Sequence, residues 1–207
     1  MENTFILNNF NNSTMLNNKI LSKINASSIE THILKSLENF YINHENYSIL
    51  LQIINTDTFI SIRLIDYFIT KFSKHNKINL KINNIENVLN IYISYKQQLK
   101  IYQKKYFDPF SRGDRIPYFL GNICIITTIG QLNFFKWFLS KNIYNYMLYN
   151  KAVIENDMNI FNKINKNKIK KETKKNNKIK LNKIINNNFI KNNNENININ
   201  KNIIVTF

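Results

Sequence analysis

The spacing of apolar and polar residues divides the chain into a short series of elements. Ile29, Ile33, Leu37, Phe40 and Tyr41 recur close to every fourth position, which predicts one face of an amphipathic helix with Ser28 as its N-cap. Tyr47 to Asn55 is a short apolar stretch. From Phe59 to Phe72 the apolar residues Ile60, Leu64, Tyr67, Ile69 and Phe72 leave few polar gaps, as in a helix buried nearly all round, with Asp57 and Thr58 as its caps. Arg63 and Asp66 are i, i+3 neighbours placed to pair on the one wet side of that helix. Ile78 to Ile82 alternates apolar and polar and reads as a strand.

Val88 to Lys105 reads as a helix. Tyr92, Tyr95, Leu99 and Tyr102 form one stripe, and Lys96, Lys100, Lys104 and Lys105 surround it. Tyrosines interleaved with lysines suit a phosphate backbone and its bases. They equally suit a buried aromatic stripe under a solvated basic face. Pro109 then ends the helix by disfavouring α geometry at Asp108, and Gly113 permits a positive φ in a tight turn. Arg112 and Arg115 flank Gly113-Asp114 and could grip a phosphate or carboxylate, or could pair internally with Asp108 and Asp114. In a nucleic-acid binder these arginines should share a face with Lys96 and Lys100; in an assembly protein they should be paired internally, with an exposed apolar patch elsewhere.

Tyr118 to Ile126 reads as strand, Gly121-Asn122 turn and strand, with Cys124 as a small core residue. Thr128-Ile129-Gly130-Gln131 fits a capping box that opens a helix carrying Leu132, Phe135, Trp137, Phe138 and Leu139. Ser140-Lys141-Asn142 interrupts it, and a helical pattern continues to about Met158. Residues 1–26 are Asn-rich and read as a flexible arm; from 161 to 207 Lys, Asn and Ile recur without a sustained period, as in a low-complexity, disordered tail. The expected architecture is therefore a single, mainly helical α+β domain over 27–160 with a small antiparallel sheet or hairpin, between that arm and that basic tail. Leu64, Phe68, Leu99, Phe119, Ile125, Leu132, Phe135 and Trp137 are its expected core.

Composition sharpens where to look. Of 207 residues, 41 are Asn, 37 Ile and 26 Lys, a bias toward AT-rich codons. Residues whose codons need G or C are scarce, so each one kept implies a physical demand. All 3 Gly, both Pro, the single Trp and Cys, and two of the three Arg fall between Pro109 and Trp137. That segment should hold the constrained geometry, with Asp108, Pro109, Gly113, Thr128, Gly130, Gln131 and Trp137 as its structural residues alongside Arg63 and Asp66 further upstream. The net charge of +16 suits a polyanion partner such as DNA or RNA. It divides unevenly: residues 162–207 hold 12 Lys and 2 Glu, a balance of +10, and the body supplies the other +6.

Several classes lose support. One Cys forms no intrachain disulfide, no apolar run approaches the roughly 20 residues of a membrane span, and no secretory signal is visible at Met1-Glu2-Asn3-Thr4. The setting expected is therefore intracellular. Glycines only at 113, 121 and 130 cannot form a phosphate loop. No spacing of His, Cys or carboxylates marks a metal site, a cofactor or a nucleophile–base pair, so no catalytic residue is proposed. Nucleic-acid binding and a structural or assembly role are the two readings left.

A viral setting comes from a resemblance. Ser61-Ile62-Arg63-Leu64-Ile65-Asp66-Tyr67-Phe68 is one of two stretches similar to an uncharacterised protein family of nucleocytoplasmic large DNA viruses, the giant viruses. The other runs from Tyr95 to Lys100, through Lys104-Lys105-Tyr106-Phe107-Asp108-Pro109-Phe110, to Thr127-Thr128-Ile129-Gly130-Gln131-Leu132-Asn133-Phe134-Phe135-Lys136-Trp137. The similarity covers about residues 28–158. The family pattern places a Cys after Asp-Pro-Phe where this chain has Ser111. The resemblance implies a viral setting, the infected cell or the virion, with assembly beside other viral proteins as the structural reading, and not an activity.

Overall fold

A computed structural model describes residues 2–23, 26–55, 60–81, 88–120 and 122–168. It divides into two units, Met1–Met158 and Asn159–Phe207. The second unit is helical over residues 159–168, past the expected start of the tail at 161; the rest of the expected tail, 169–207, lies outside the described residues.

The first unit is mainly helical with two small two-stranded antiparallel sheets. Its first helix, α1 (Glu2–Lys23), occupies the segment expected as an arm. The second half of α1 is packed: Ser13 and Asn17 are buried, and Asn17 accepts from the Phe119 N–H at 2.8 Å and donates to its carbonyl at 3.1 Å. One side-chain amide thus satisfies both backbone groups that an edge strand would otherwise leave open.

Helix α2 (Ser28–Tyr41) begins at the expected cap itself. Ser27, not Ser28, is the N-cap, because Glu30 stands three residues on and completes a capping box with it. Ile33, Leu34, Leu37 and Tyr41 are buried, whereas Ile29 lies outside the stripe and is exposed. The Tyr41 hydroxyl donates to the Leu132 carbonyl at 2.9 Å and so binds α2 to the helix that follows the second sheet.

Glu38, on the same helix, is a local liability. Its Oε1 is buried without a hydrogen-bond partner, and burial raises the carboxyl above its ordinary 4.5, with Lys35 opposing. A carboxyl raised on folding stabilises the fold while protonated, and that contribution is lost as pH rises through its folded value. Glu38→Gln is therefore expected to melt higher than the parent at neutral pH, with the gap closing below about pH 4.5. Equal pH dependence in thermal melts of the two proteins would contradict this.

Helix α3 (His44–Ile54) takes in the short apolar stretch, capped by Asn43. Residues 56–59, including the expected caps Asp57 and Thr58, lie outside the described residues. The expected core helix starts instead at Ile62, capped by Ser61, and runs as α4 (Ile62–Tyr67), a π turn (Phe68–Phe72) and α5 (Ser73–His75). The wider turn keeps Phe68, Ile69 and Phe72 all buried. Arg63 does not pair with Asp66: Arg63 is exposed, and the charges that act on Asp66 are Arg112, Asp108 and Lys71.

Strand β1 (Asn79–Lys81) pairs with β2 (Val88–Asn90), so the start of the expected 88–105 helix is a strand. Asn90 decides the boundary, because its side chain accepts from the Ile93 N–H at 3.0 Å and caps α6 (Ile91–Tyr106). Strands β3 (Ile116–Leu120) and β4 (Ile123–Thr127) form the expected hairpin, with Tyr118 opposite Ile125. Helices α7 (Ile129–Ser140) and α8 (Ile143–Tyr149) follow, and the chain is helical again over residues 151–158. No described helix is long and apolar enough to cross a membrane.

The core gathers around α7. Leu64, Phe68, Ile125, Leu132, Phe135 and Trp137 are buried as expected. Leu99 and Phe119 are only half-buried. For Phe119 the cause is strand alternation: Ile116, Tyr118 and Leu120 take the inner face of β3, leaving Phe119 outward beside α1. Cys124 falls on the outer side of β4 for the same reason and is exposed, not a core residue.

A braced loop and its basic cleft

The segment rich in scarce residues is held by one helix end. Thr128 caps α7 by accepting from the Gln131 N–H at 3.1 Å. The reciprocal half of the expected capping box is not made. Gln131 is buried and turns its amide to the loop, where Nε2 donates to the Pro109 carbonyl at 2.9 Å and Oε1 accepts from the Thr127 hydroxyl at 2.8 Å. The Asp108 N–H donates to the Gly130 carbonyl at 3.2 Å, and Asn133 Nδ2 donates to the Tyr106 carbonyl at 2.9 Å. The backbone of 105–107 crosses so close to α7 that a Cβ on Gly130 would lie 2.8 Å from the Lys105 carbonyl oxygen. Gly130 is thus the glycine whose scarcity has a steric cause. Gly113 does not adopt the expected positive φ, and a Cβ there meets nothing nearer than Thr128 at 3.9 Å.

Arg112 forks onto Asp108 with contacts of 2.9 and 2.7 Å from Nε and Nη2, and its guanidinium lies 4.9 Å from the Phe110 ring. Asp66, half-buried behind this pair, is pushed up by desolvation, with Arg112 opposing and Asp108 adding to the rise. The internal pairing considered from sequence therefore holds for Arg112. Arg115 and Asp114 are both exposed and have no hydrogen-bond or ion-pair partner among the described residues.

Helix α6 supplies the other basic residues. Its backbone breaks from helical geometry at Gln103, with φ 56° and ψ 175°, a region that side-chain-bearing residues rarely enter. Two residues later Lys105 Nζ meets Glu30 at 3.3 Å, and the Tyr106 hydroxyl donates to the same carboxylate at 3.1 Å. The Ser27 backbone N–H leads the contacts that hold Glu30 below the ordinary carboxylate value. Before the break, Lys96 and Lys100 point outward one turn apart; Lys104 follows just past it and is also exposed. None of these three has a partner among the described residues. Tyr95 and Tyr102 face inward onto Phe107, with ring centroids 6.1 and 6.3 Å away.

The structure thus sorts the sequence-marked basic residues into two sets, so Arg112 and Arg115 are not brought together with Lys96 and Lys100, the arrangement expected of a nucleic-acid binder. Lys105, Arg112 and Arg115 line one cleft of about 510 Å³ with Asp114, Thr128 and Ile129. Lys96 and Lys100 line a shallower groove with Tyr92, Ile93 and Leu99. Glu30 and Tyr106 also reach the first cleft. Glu30 could have been found from Ser27-Ser28-Ile29-Glu30, whose spacing is that of a capping box. Nothing in the local pattern pointed to Tyr106 as its partner, since the two are 76 positions apart.

The class of protein is a mainly helical α+β body with a braced loop of mixed charge. The chain belongs to DUF7197, a family of unknown function, whose profile matches residues 11–207. It is also similar to an uncharacterized protein of Acanthamoeba polyphaga mimivirus, 35% identical over 177 residues that span 78% of this chain and 68% of the mimivirus protein. The giant-virus resemblance seen in the sequence is thereby borne out. No solved structure matches.

Proposed function

We propose that this viral protein binds nucleic acid, without chemistry of its own, through the outward lysines of α6, reinforced by the basic residues of 162–207. The observation that carries the reading is the makeup of α6. Its sixteen residues hold Lys96, Lys100, Lys104 and Lys105 and no acid, and three of those lysines are exposed and unpartnered. Cations that no carboxylate neutralises are free to displace counterions from phosphates. The inward tyrosines hold the helix in place, so the contact is to backbone phosphate and carries little sequence information.

The test uses the full-length chain with Lys96, Lys100 and Lys104 replaced together by Ala. Exposed positions of this kind change stability by less than about 0.5 kcal/mol, so thermal melting should be unchanged. Binding to unrelated DNA or RNA sequences should weaken by a common factor. Undiminished binding by this variant, combined with loss on deleting 169–207, would move the attraction to the tail and remove the role of the body.

A second reading, assembly with other viral proteins, is favoured by one observation on the same helix. Ile93 and Ile101 are 56% and 65% exposed beside the lysines. Replacing both with Ser should leave nucleic-acid binding intact under the first reading.

A further inference from the structure

We propose that the cleft beside α7 is a site for a 5′-nucleoside phosphate group, free as a mononucleotide or carried on the end of a strand. The strand-end form rests on the nucleic-acid reading above; the mononucleotide form does not. Three observations lead here. First, Lys105, Arg112 and Arg115 line one cavity of about 510 Å³, within the usual range for small-molecule sites, and with Lys105 paired to Glu30 and Arg112 to Asp108 it is Arg115 that is left to take an anion. The lysines before the Gln103 break lie outside this cavity.

Second, the loop is braced up to Arg112 before any ligand arrives. Gln131 holds Pro109, Gly130 holds Asp108, and Asp108 holds Arg112. Arg115 lies between this braced segment and β3, which lowers the backbone ordering a ligand must impose.

Third, the cleft is mixed in charge. Arg115 is an unpartnered fork for phosphate, and Asp114 beside it is an unpartnered acceptor. A continuous phosphate backbone would meet repulsion from Asp114 and Glu30. A single phosphate joined to a sugar can sit on Arg115, clear of the acids, while a ribose hydroxyl or base amino group donates to Asp114. The arrangement therefore favours a nucleotide over inorganic phosphate or a strand interior.

The experiment measures binding of the full-length chain to adenosine 5′-monophosphate, to inorganic phosphate, and to one short oligonucleotide with a 5′-phosphate or a 5′-hydroxyl. The phosphorylated oligonucleotide is expected to bind roughly tenfold tighter than its hydroxyl twin, the size of one added charge-assisted contact. Adenosine 5′-monophosphate should compete for that advantage and inorganic phosphate should not. Arg115→Ala should abolish the difference. Equal binding of the two oligonucleotides, or a difference that survives in Arg115→Ala, overturns the cleft assignment and leaves the α6 reading intact. Arg115-dependent binding of the mononucleotide with neither oligonucleotide bound supports the cleft and overturns the nucleic-acid reading.

Discussion

Gly130→Ala is expected to lower unfolding stability by about 3 kcal/mol, at the upper end of the cost of overpacking a well-filled site. The added methyl would sit 2.8 Å from the Lys105 carbonyl oxygen, a backbone atom that no rotamer change can move aside. To make room, the first turn of α7 must separate from 105–107, and the bonds from Asp108 to Gly130 and from Gln131 to Pro109 lengthen with it. The loss is a large share of the 5–15 kcal/mol that a domain typically has. Gly113→Ala is the control, since its Cβ would make only ordinary contact with Thr128 at 3.9 Å, and it should change stability by less than about 0.5 kcal/mol. Urea unfolding of the three proteins side by side checks this. Indistinguishable midpoints for Gly130→Ala and Gly113→Ala would show that the crossing is looser than described.

Phe107→Ala should be costlier still, by roughly 3–5 kcal/mol, as for other large aromatic truncations in cores. Phe107 is 1% exposed although it lies just past the end of α6. Its ring lies 5.2 Å from Phe134 and 5.5 Å from Trp137, with Tyr95 and Tyr102 beyond. It therefore joins α6, the loop and α7 at one point, and the cavity left behind cannot collapse without moving all three. Trp137 is the single tryptophan of the chain, so its emission reports directly on this cluster. A red shift with the loss of stability is expected. A loss below about 1 kcal/mol would mean that the cluster is not packed as a unit.

Much of this architecture could be read along the chain, and the exceptions share a cause. The α2 stripe, the β3–β4 hairpin and Thr128 as a cap depend on local spacing, and local spacing is visible in sequence. Val88 to Asn90 read as helix because its apolar residues continue the pattern of α6; the strand exists only because Asn79 to Lys81 pairs with it. Cys124 read as core because β4 is apolar on both sides, and sequence cannot say which side is wet. Arg63 and Asp66 are helical neighbours, yet after burial it is the charge of Arg112, from a distant segment, that acts most on Asp66. The scarcity of Gly, Pro, Arg and Trp pointed to the right segment, but the reason differed residue by residue. Gly130 is required by a backbone crossing, whereas Gly113 has no such requirement. For the candidate site, the basic residues were visible from the start; their division between a groove and a cleft was not.

The claim that the folded body, and not only the tail, binds nucleic acid is tested most directly by salt dependence. The logarithm of the binding constant of the full-length chain for duplex DNA is plotted against the logarithm of salt concentration, alongside the variant with Lys96, Lys100 and Lys104 changed to Ala. Three lost phosphate contacts should make the slope shallower by about 2.7, at about 0.9 per contact. Identical slopes for the two proteins would contradict a role for α6 and assign the attraction to the charge outside it.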